Sequence, residues 1–422
     1  MRDSVDCLKC AKEICQKLRY AGHTAYFAGG FVRDHLLNLS STDSDIDIAT
    51  DALPEEIVQM FPDHVLVGAQ FGVVLVLYKE HQFEVATFRK DELYENGRSP
   101  TKVALKSSPK EDACRRDFTI NGMFFDPLTE ELHDYVGGKI DLEKKLVRTI
   151  GSPDERFTED RLRMLRAIRF THRFGFTLDD ATRKAIIRLS HTLLPSVSME
   201  RIWQEFCKMR AAQTKNSALS FKEALLDMHT LGLLQTIFPP LKNITQDALN
   251  ERLKGLETLS AHVPTILFLV KLFGHEDTTY VKGLHQTLKA SNAEGKWIDA
   301  YVVTQNLQLQ SLDAYQTAKL LAESRFEITF EVRLCKEAEE EKTRLNEWYQ
   351  KKHHELDFFI HRLRKKEPFV KAIDLQNEGI IPGKEMGKLL EAAEKIAINS
   401  HLTDKDVIIE KLRKTPQWPL SS

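Results

Sequence analysis

Asp45-Ile46-Asp47-Ile48-Ala49-Thr50 is the stretch on which the reading of this 422-residue chain turns. Carboxylates and isoleucines alternate. On a strand, that alternation puts Asp45 and Asp47 on one face and Ile46 and Ile48 on the other. Two carboxylates side by side repel each other unless a cation lies between them. A pair of hard oxygen ligands suits Mg²⁺, which takes one or two carboxylates plus substrate phosphates. Upstream, Ala25-Tyr26-Phe27 reads as a short strand ending at Gly29-Gly30, and Phe31 to Leu39 as a helix. Glycines there allow backbone N–H groups to approach a phosphate, and the helix start favours an anion. Arg33, one turn in, can add a charge-assisted hydrogen bond to phosphate. Asp34 fits either the site or a tie between helix and sheet.

Working outward, residues 4 to 21 read as a helix, and Pro54-Glu55-Glu56 opens another with proline in its first turn. Val73 to Leu77 and Gln82 to Phe88 are β-rich runs that suit a hairpin. Residues 91 to 112 are polar, contain Gly97, Pro100 and Pro109, and read as a mobile loop. The apolar run Phe118 to Phe125 reads as a helix entry. Asp117 and Asn121 are four apart and would share a helix face. Thr158 is a good N-cap, with Glu159 and Asp160 in the first turn that follows. Asp160 and Arg163 then lie side by side, three residues apart. From Thr158 on, the pattern is helical almost to the end.

The ordered blocks FAGGFVRDHLL, DSDIDIATDALPEEI, FGVVLVLYKEHQFEVATFR, ENGRSP, CRRDFTINGMFFDP, DYVGGKIDL and EDRLRMLRAIRFTHRFGF cover roughly residues 25 to 180. Together they resemble the head of class II tRNA nucleotidyltransferases, the CCA-adding enzymes, and the related bacterial poly(A) polymerases. A further match, GIIPGKEMGKLL, lies near the C-terminus. The resemblance implies an α+β fold: a small polymerase-beta-like α/β head, then an all-α neck, body and tail. The expected division is 1–150 head, 151–215 neck, 216–345 body and 346–422 tail. It implies two Mg²⁺ ions, with Asp45 and Asp47 as ligands and Glu84 as a third catalytic carboxylate. One ion would activate the attacking 3′ hydroxyl and the other stabilise the leaving pyrophosphate. It also implies that Gly29, Gly30, Arg33, Arg115, Arg116, Asp117 and Asn121 hold the nucleotide's ribose and triphosphate.

In the same family the Asp160–Arg163 pair would template the base. The carboxylate accepts from the amino group of cytosine or adenine, and the guanidinium donates to the neighbouring ring acceptors. Uracil and guanine present a carbonyl where the carboxylate needs a donor, and a buried unpaired group makes rejection steep. Arg166 and Arg169 continue the ridge toward the triphosphate. Gly383, Lys384 and Lys388 would grip a tRNA backbone. The expected substrates are CTP, ATP and a tRNA 3′ end, with no obligate protein partner. The alternatives are an A-adding enzyme or poly(A) polymerase of the same fold, and a non-catalytic RNA-binding relative. Two departures from the family stand out: a slightly longer insert around Ser40-Ser41-Thr42, and the stretch Val67 to Val74, which lacks the paired basic residues of typical bacterial poly(A) polymerases and looks more like the CCA-adding type; Gly122, where a small residue such as alanine is usual, is a mild one.

The composition is ordinary for a soluble globular protein. Charged residues make up 29% and hydrophobic ones 42%. The net charge of −2 means nucleic-acid binding must come from a local basic patch. MRDSVDCLKC has no apolar stretch of a signal peptide, and no run reaches transmembrane length, so a cytoplasmic setting away from membranes is expected. Cys7 and Cys10 fall with Ile14, Cys15 and Leu18 on what reads as a helix's buried side. The run Lys336 to Lys342 reads as a solvated helix face. The basic stretch from Lys351 to Lys366, with Phe358 and Phe359, suits either a solvated helix or an RNA contact.

Overall fold

The computed structural model describes residues 7–39, 45–68, 71–93, 102–105, 107–211, 217–274 and 277–419. The segments Ser40 to Thr42 and Glu95 to Pro100 lie outside the described residues. The fold is α+β, with an α/β head sheet followed by helices. By packing, the chain forms two compact units, Met1–Leu249 and Asn250–Ser422.

In the first unit the head is one seven-stranded sheet. Its strands are β1 (Ala25–Ala28), β2 (Asp47–Thr50), β3 (His64–Gly68), β4 (Val73–Tyr78), β5 (His81–Thr87), β8 (Phe124–Asp126) and β9 (Glu131–His133). Their order is β3-β4-β5-β2-β1-β8-β9. β1 and β2 run antiparallel with Ala28 opposite Asp47, while β2 and β5 run parallel with Ile48 opposite Val85. One step before that last pair, Asp47 and Glu84 lie side by side. Asp47, Ala28, Phe124 and His133 then form a row across four strands.

The other face shows why the alternation in β2 matters. Phe27, Ile48, Val85 and Val74 form the neighbouring row, and all are fully buried. The helix Cys7–Tyr20 covers this face with Cys10, Ile14, Cys15 and Leu18. Each large apolar side chain buried there contributes about 1.5–3 kcal/mol. Cys7 and Cys10 are buried and none of the six cysteines forms a disulfide. On the carboxylate face, Ala28, Ala49, Phe88, Ala113 and Phe124 make a second small core. The two aspartates therefore stand at the edge of a packed platform.

Three local expectations need correction. Residues 91 to 112 are not a loop throughout: β6 (Arg89–Leu93) pairs antiparallel with β7 (Lys102–Leu105), and Pro109–Cys114 is a helix. That helix has its own start signal, because Ser108 and Glu111 form a capping box with Pro109 at the first turn. The run Phe118 to Phe125 is a short turn at Thr119–Asn121 leading into β8. Its apolar residues serve a sheet rather than a helix. Finally, Thr158 lies inside the helix Pro153–Glu159 and does not cap the next one. Asp160 has extended backbone angles (φ −145°, ψ 105°) and breaks the chain before the helix Leu162–Phe174.

The second unit is helical. Leu309, Phe326, Phe330, Leu345, Leu356 and Phe359 lie in one core. Val370, Leu375, Met386, Leu389, Ile408 and Leu412 lie in another near the C-terminus. The long helix Glu339–Lys365 carries the basic stretch, where Lys352 pairs with Glu355 and Arg362 stacks on Phe369 at 3.8 Å. Among the described residues no helix is long and apolar enough to cross a membrane.

Candidate active site

Gly29 ends β1 with φ +67°, a left-handed value that glycine adopts without strain. A Cβ built there would sit 3.3 Å from Asp47 Oδ2 and 3.3 Å from Arg116 Nη1. The glycine thus lets the backbone, a carboxylate and a guanidinium converge on one spot. Burial by the surrounding protein, then the negative Glu84, pushes the Asp47 carboxyl up to about 6; Asp45 adds to this and Arg116 opposes it. Asp47 is nonetheless exposed to solvent, and it opens on the cleft. An excess of negative charge on oxygen ligands fits a hard divalent cation. Among the described residues no group of three or more His, Cys, Asp or Glu side chains could hold a metal ion. Asp45 and Asp47 are the carboxylates that would be available to a cation here, with further ligands left to substrate and water. Glu84 is exposed beside Asp47 and is not part of the cleft wall.

The arginines of the RRD segment are held by a residue the sequence reading missed. Asp112, almost fully buried, accepts from Arg115 Nε at 2.8 Å and from Arg116 Nε and Nη2 at 3.1 and 3.0 Å. Burial pushes its carboxyl up, but Arg116 and Arg115 outweigh that and hold it below the usual range. Asp117 is likewise internal. Its Oδ1 accepts from Phe118 N at 2.8 Å and Asn121 Nδ2 at 3.0 Å; its Oδ2 accepts from Arg166 Nε at 2.7 Å. Burial opposes ionisation, yet Arg166 and Asn121 hold the carboxyl at about 2. Arg33 donates to Asn121 Oδ1 at 2.5 Å and to Asp34 at 2.7 Å, with its guanidinium over Phe174 at 4.5 Å. Asp34 also faces Arg173 at 3.5 Å, so it ties the head to the helix Leu162–Phe174. Gly122 has a packing reason: a Cβ would meet Val136 at 2.8 Å and Ile150 at 2.9 Å.

Asp160 and Arg163 reach the same cleft, but each has a different partner. Asp160 Oδ1 accepts from Leu162 N at 3.1 Å, and Oδ2 accepts from Arg201 Nη2 at 2.9 Å. Arg163 donates to Glu159 at 2.6 Å and to the Arg115 carbonyl at 3.1 Å. Arg169 pairs with the buried Glu205 at 2.7 Å and lies over Phe170 at 4.3 Å.

These side chains line one cleft of about 920 Å³. Gly29, Gly30, Arg33, Asp45, Asp47, Arg115, Arg116, Asp117, Asn121, Asp160, Arg163, Arg166 and Arg169 all lie on its wall. So do Arg173, Arg201 and Lys208, which the sequence reading did not single out. The wall carries nine basic side chains and five aspartates, a local excess of positive charge in a chain whose net charge is −2. Such a cleft suits a polyphosphate beside a carboxylate-bound cation. Gly383, Lys384 and Lys388 belong to the second unit, where Gly383 caps the helix Lys384–Asn399. Lys384 and Lys388 are exposed, and Lys388 pairs with Glu385 at 2.9 Å.

Residues 25–148 match the Poly A polymerase head domain, and residues 175–245 match a probable RNA and SrmB-binding site of polymerase A. The chain is similar to the CCA-adding enzyme of Bacillus velezensis, with 42% identity over 239 residues, 57% of this chain and 58% of that protein. It is 45% identical to the Bacillus subtilis CCA-adding enzyme over 199 residues, 47% of this chain and 49% of that protein. The matches span about half the length of these curated relatives. A crystal structure of the Bacillus stearothermophilus CCA-adding enzyme in complex with CTP superposes with a TM-score of 0.76. It is 26% identical and covers 96% of this chain and 98% of that one.

Proposed function

We propose that this chain, whose residues 25–148 match the Poly A polymerase head domain and which is similar to CCA-adding enzymes, is a template-independent tRNA nucleotidyltransferase. It adds CCA to the tRNA 3′ end from CTP and ATP and releases pyrophosphate. The observation that carries this reading is the single cleft in which Asp45 and Asp47 face Asp160, Arg163 and an arginine-rich wall. Asp45 and Asp47 would hold two Mg²⁺ ions, with Glu84 beside them. When bound, such ions supply Lewis-acid stabilisation of the attacking and leaving oxygens. The likeness to CCA-adding enzymes supports metal dependence in general; the count of two is part of the proposal.

The protein's own groups do the rest. Gly29 and Gly30 admit the triphosphate close to the backbone, and Arg115 and Arg116, oriented by Asp112, face its oxygens. Asp117 and Asn121 keep Arg166 and Arg33 in place and border the ribose. Asp160 accepts from the amino group of cytosine or adenine, and Arg163 donates to the adjoining ring acceptors. Uracil and guanine leave the carboxylate facing a carbonyl, so they are rejected. Gly383, Lys384 and Lys388 contact the tRNA backbone in a division of head, neck, body and tail. The setting is cytoplasmic.

The test offers three tRNAs with each nucleoside triphosphate separately. One lacks the whole CCA end, one lacks its last two nucleotides, and one lacks only the terminal A. Transfer of C, C and then A in register is the expected result. Transfer of A alone, onto any RNA, would assign the chain to the poly(A) branch instead.

A further inference from the structure

Asp160 and Arg163 are three residues apart, close enough to form an ordinary ion pair with each other. A pair closed on itself would turn the two groups toward each other rather than toward a base. In the structure each is drawn sideways instead. Arg163 donates to Glu159 at 2.6 Å, and Asp160 Oδ2 accepts from Arg201 Nη2 at 2.9 Å. Arg201 stands in the first turn of the helix Met199–Arg210, 41 residues further along, and lines the same cleft. Asp160 is its one ion-pair partner among the described residues. Both side chains are largely buried, at 21% and 17% exposure, so the bond is little weakened by solvent. Arg201 Nη1 is buried with no hydrogen-bond partner. The guanidinium therefore engages Asp160 rather than being shared among several acceptors.

The backbone at Asp160 is extended between two helices, so no helical ladder fixes its side chain. A carboxylate's last torsion is broad and two-fold. The Leu162 N–H and Arg201 together define its plane. A carboxylate has about four lone-pair sites, so two such bonds leave it free to accept from a ligand.

We propose that Arg201 is a positioning residue for nucleotide choice, holding Asp160 away from Arg163 so that both groups face the incoming base. The inference rests on the templating role given to Asp160 above. Without Arg201, Asp160 turns onto Arg163 and the two close into a helix-surface ion pair.

The test is a double-mutant cycle of Arg201→Gln and Asp160→Asn, with kcat/KM measured for CTP and UTP on a tRNA lacking CCA. Arg201→Gln should lower the CTP-to-UTP ratio by about tenfold, the effect of one hydrogen bond to a charged group. In the Asp160→Asn background the same change should leave the ratio where it is. Equal slowing of both nucleotides, or additive effects on the ratio, would overturn the proposal. If thermal melting shows Arg201→Gln unfolded, Arg201→Lys keeps the charge but not the planar fork. It should lower the ratio less, and an unchanged ratio would overturn the proposal. A wild-type protein that transfers neither C nor A refutes the functional reading itself, and this inference with it.

Discussion

Asp117→Asn removes a buried carboxylate that joins the head to the helix Leu162–Phe174. Its two oxygens accept from Phe118 N, Asn121 and Arg166. Burial raises the carboxyl, and Arg166 with Asn121 brings it down from 3.8 to about 2. A folded-state value below the unfolded one means that folding favours the ionised form. Its contribution is present above pH 4, and it is lost as the pH falls through 2. That difference between the two values corresponds to about 2–3 kcal/mol. Leaving Arg166 without this partner adds desolvation cost, so the total loss at pH 7 should be about 3–5 kcal/mol. At pH 3 the wild type has already lost about 1 kcal/mol of that contribution, so the gap between the two proteins narrows. Urea unfolding of both proteins at pH 7 and pH 3 measures the gap. A gap under about 1 kcal/mol at pH 7, or one that is equal at both pH values, would refute the reasoning.

Asp47→Asn should abolish transfer and yet melt no lower than wild type in metal-free buffer, because it relieves repulsion from Glu84 and Asp45; calorimetry beside a transfer assay checks this, and a clear fall in melting temperature would contradict it. Lys384→Glu with Lys388→Glu should weaken tRNA binding and reduce its salt slope by roughly one unit per lost phosphate contact. A short acceptor-stem substrate should be affected less, as measured by filter binding across a salt series.

Much of the site could be read directly from the chain, because alternation and local spacing are properties of neighbours. Ile48 buries and Asp47 faces the cleft because a strand alternates. The positions of Gly29, Arg115 and Asp160 followed from their blocks. What could not be read was which group holds which. Asp117 and Arg166 are 49 residues apart, and Arg33 and Asn121 are 88 apart. No period in the sequence connects them. Asp112 looked like a polar loop residue until the helix Pro109–Cys114 placed it under two arginines. The EDRLR stretch reads as one helix start because helical residues continue on both sides, whereas one helix ends at Glu159 and the next begins at Leu162. The break is set by the Asp160 side chain bonding Leu162 N, a local competition with the helical ladder. Arg201 enters the cleft only because the fold brings its helix there.

The central claim is that amino-acid side chains in this cleft choose cytosine and adenine. The most direct measurement is kcat/KM of Asp160→Ala for all four nucleoside triphosphates, on tRNA lacking the terminal A and on tRNA lacking the whole CCA end. Loss of the acceptor, at about 1–3 kcal/mol for a buried hydrogen bond, should cut discrimination against UTP and GTP by about tenfold to a hundredfold. Mg²⁺ and tRNA binding should be retained. If every nucleotide slows by one common factor and discrimination is unchanged, Asp160 is a helix cap and not a template.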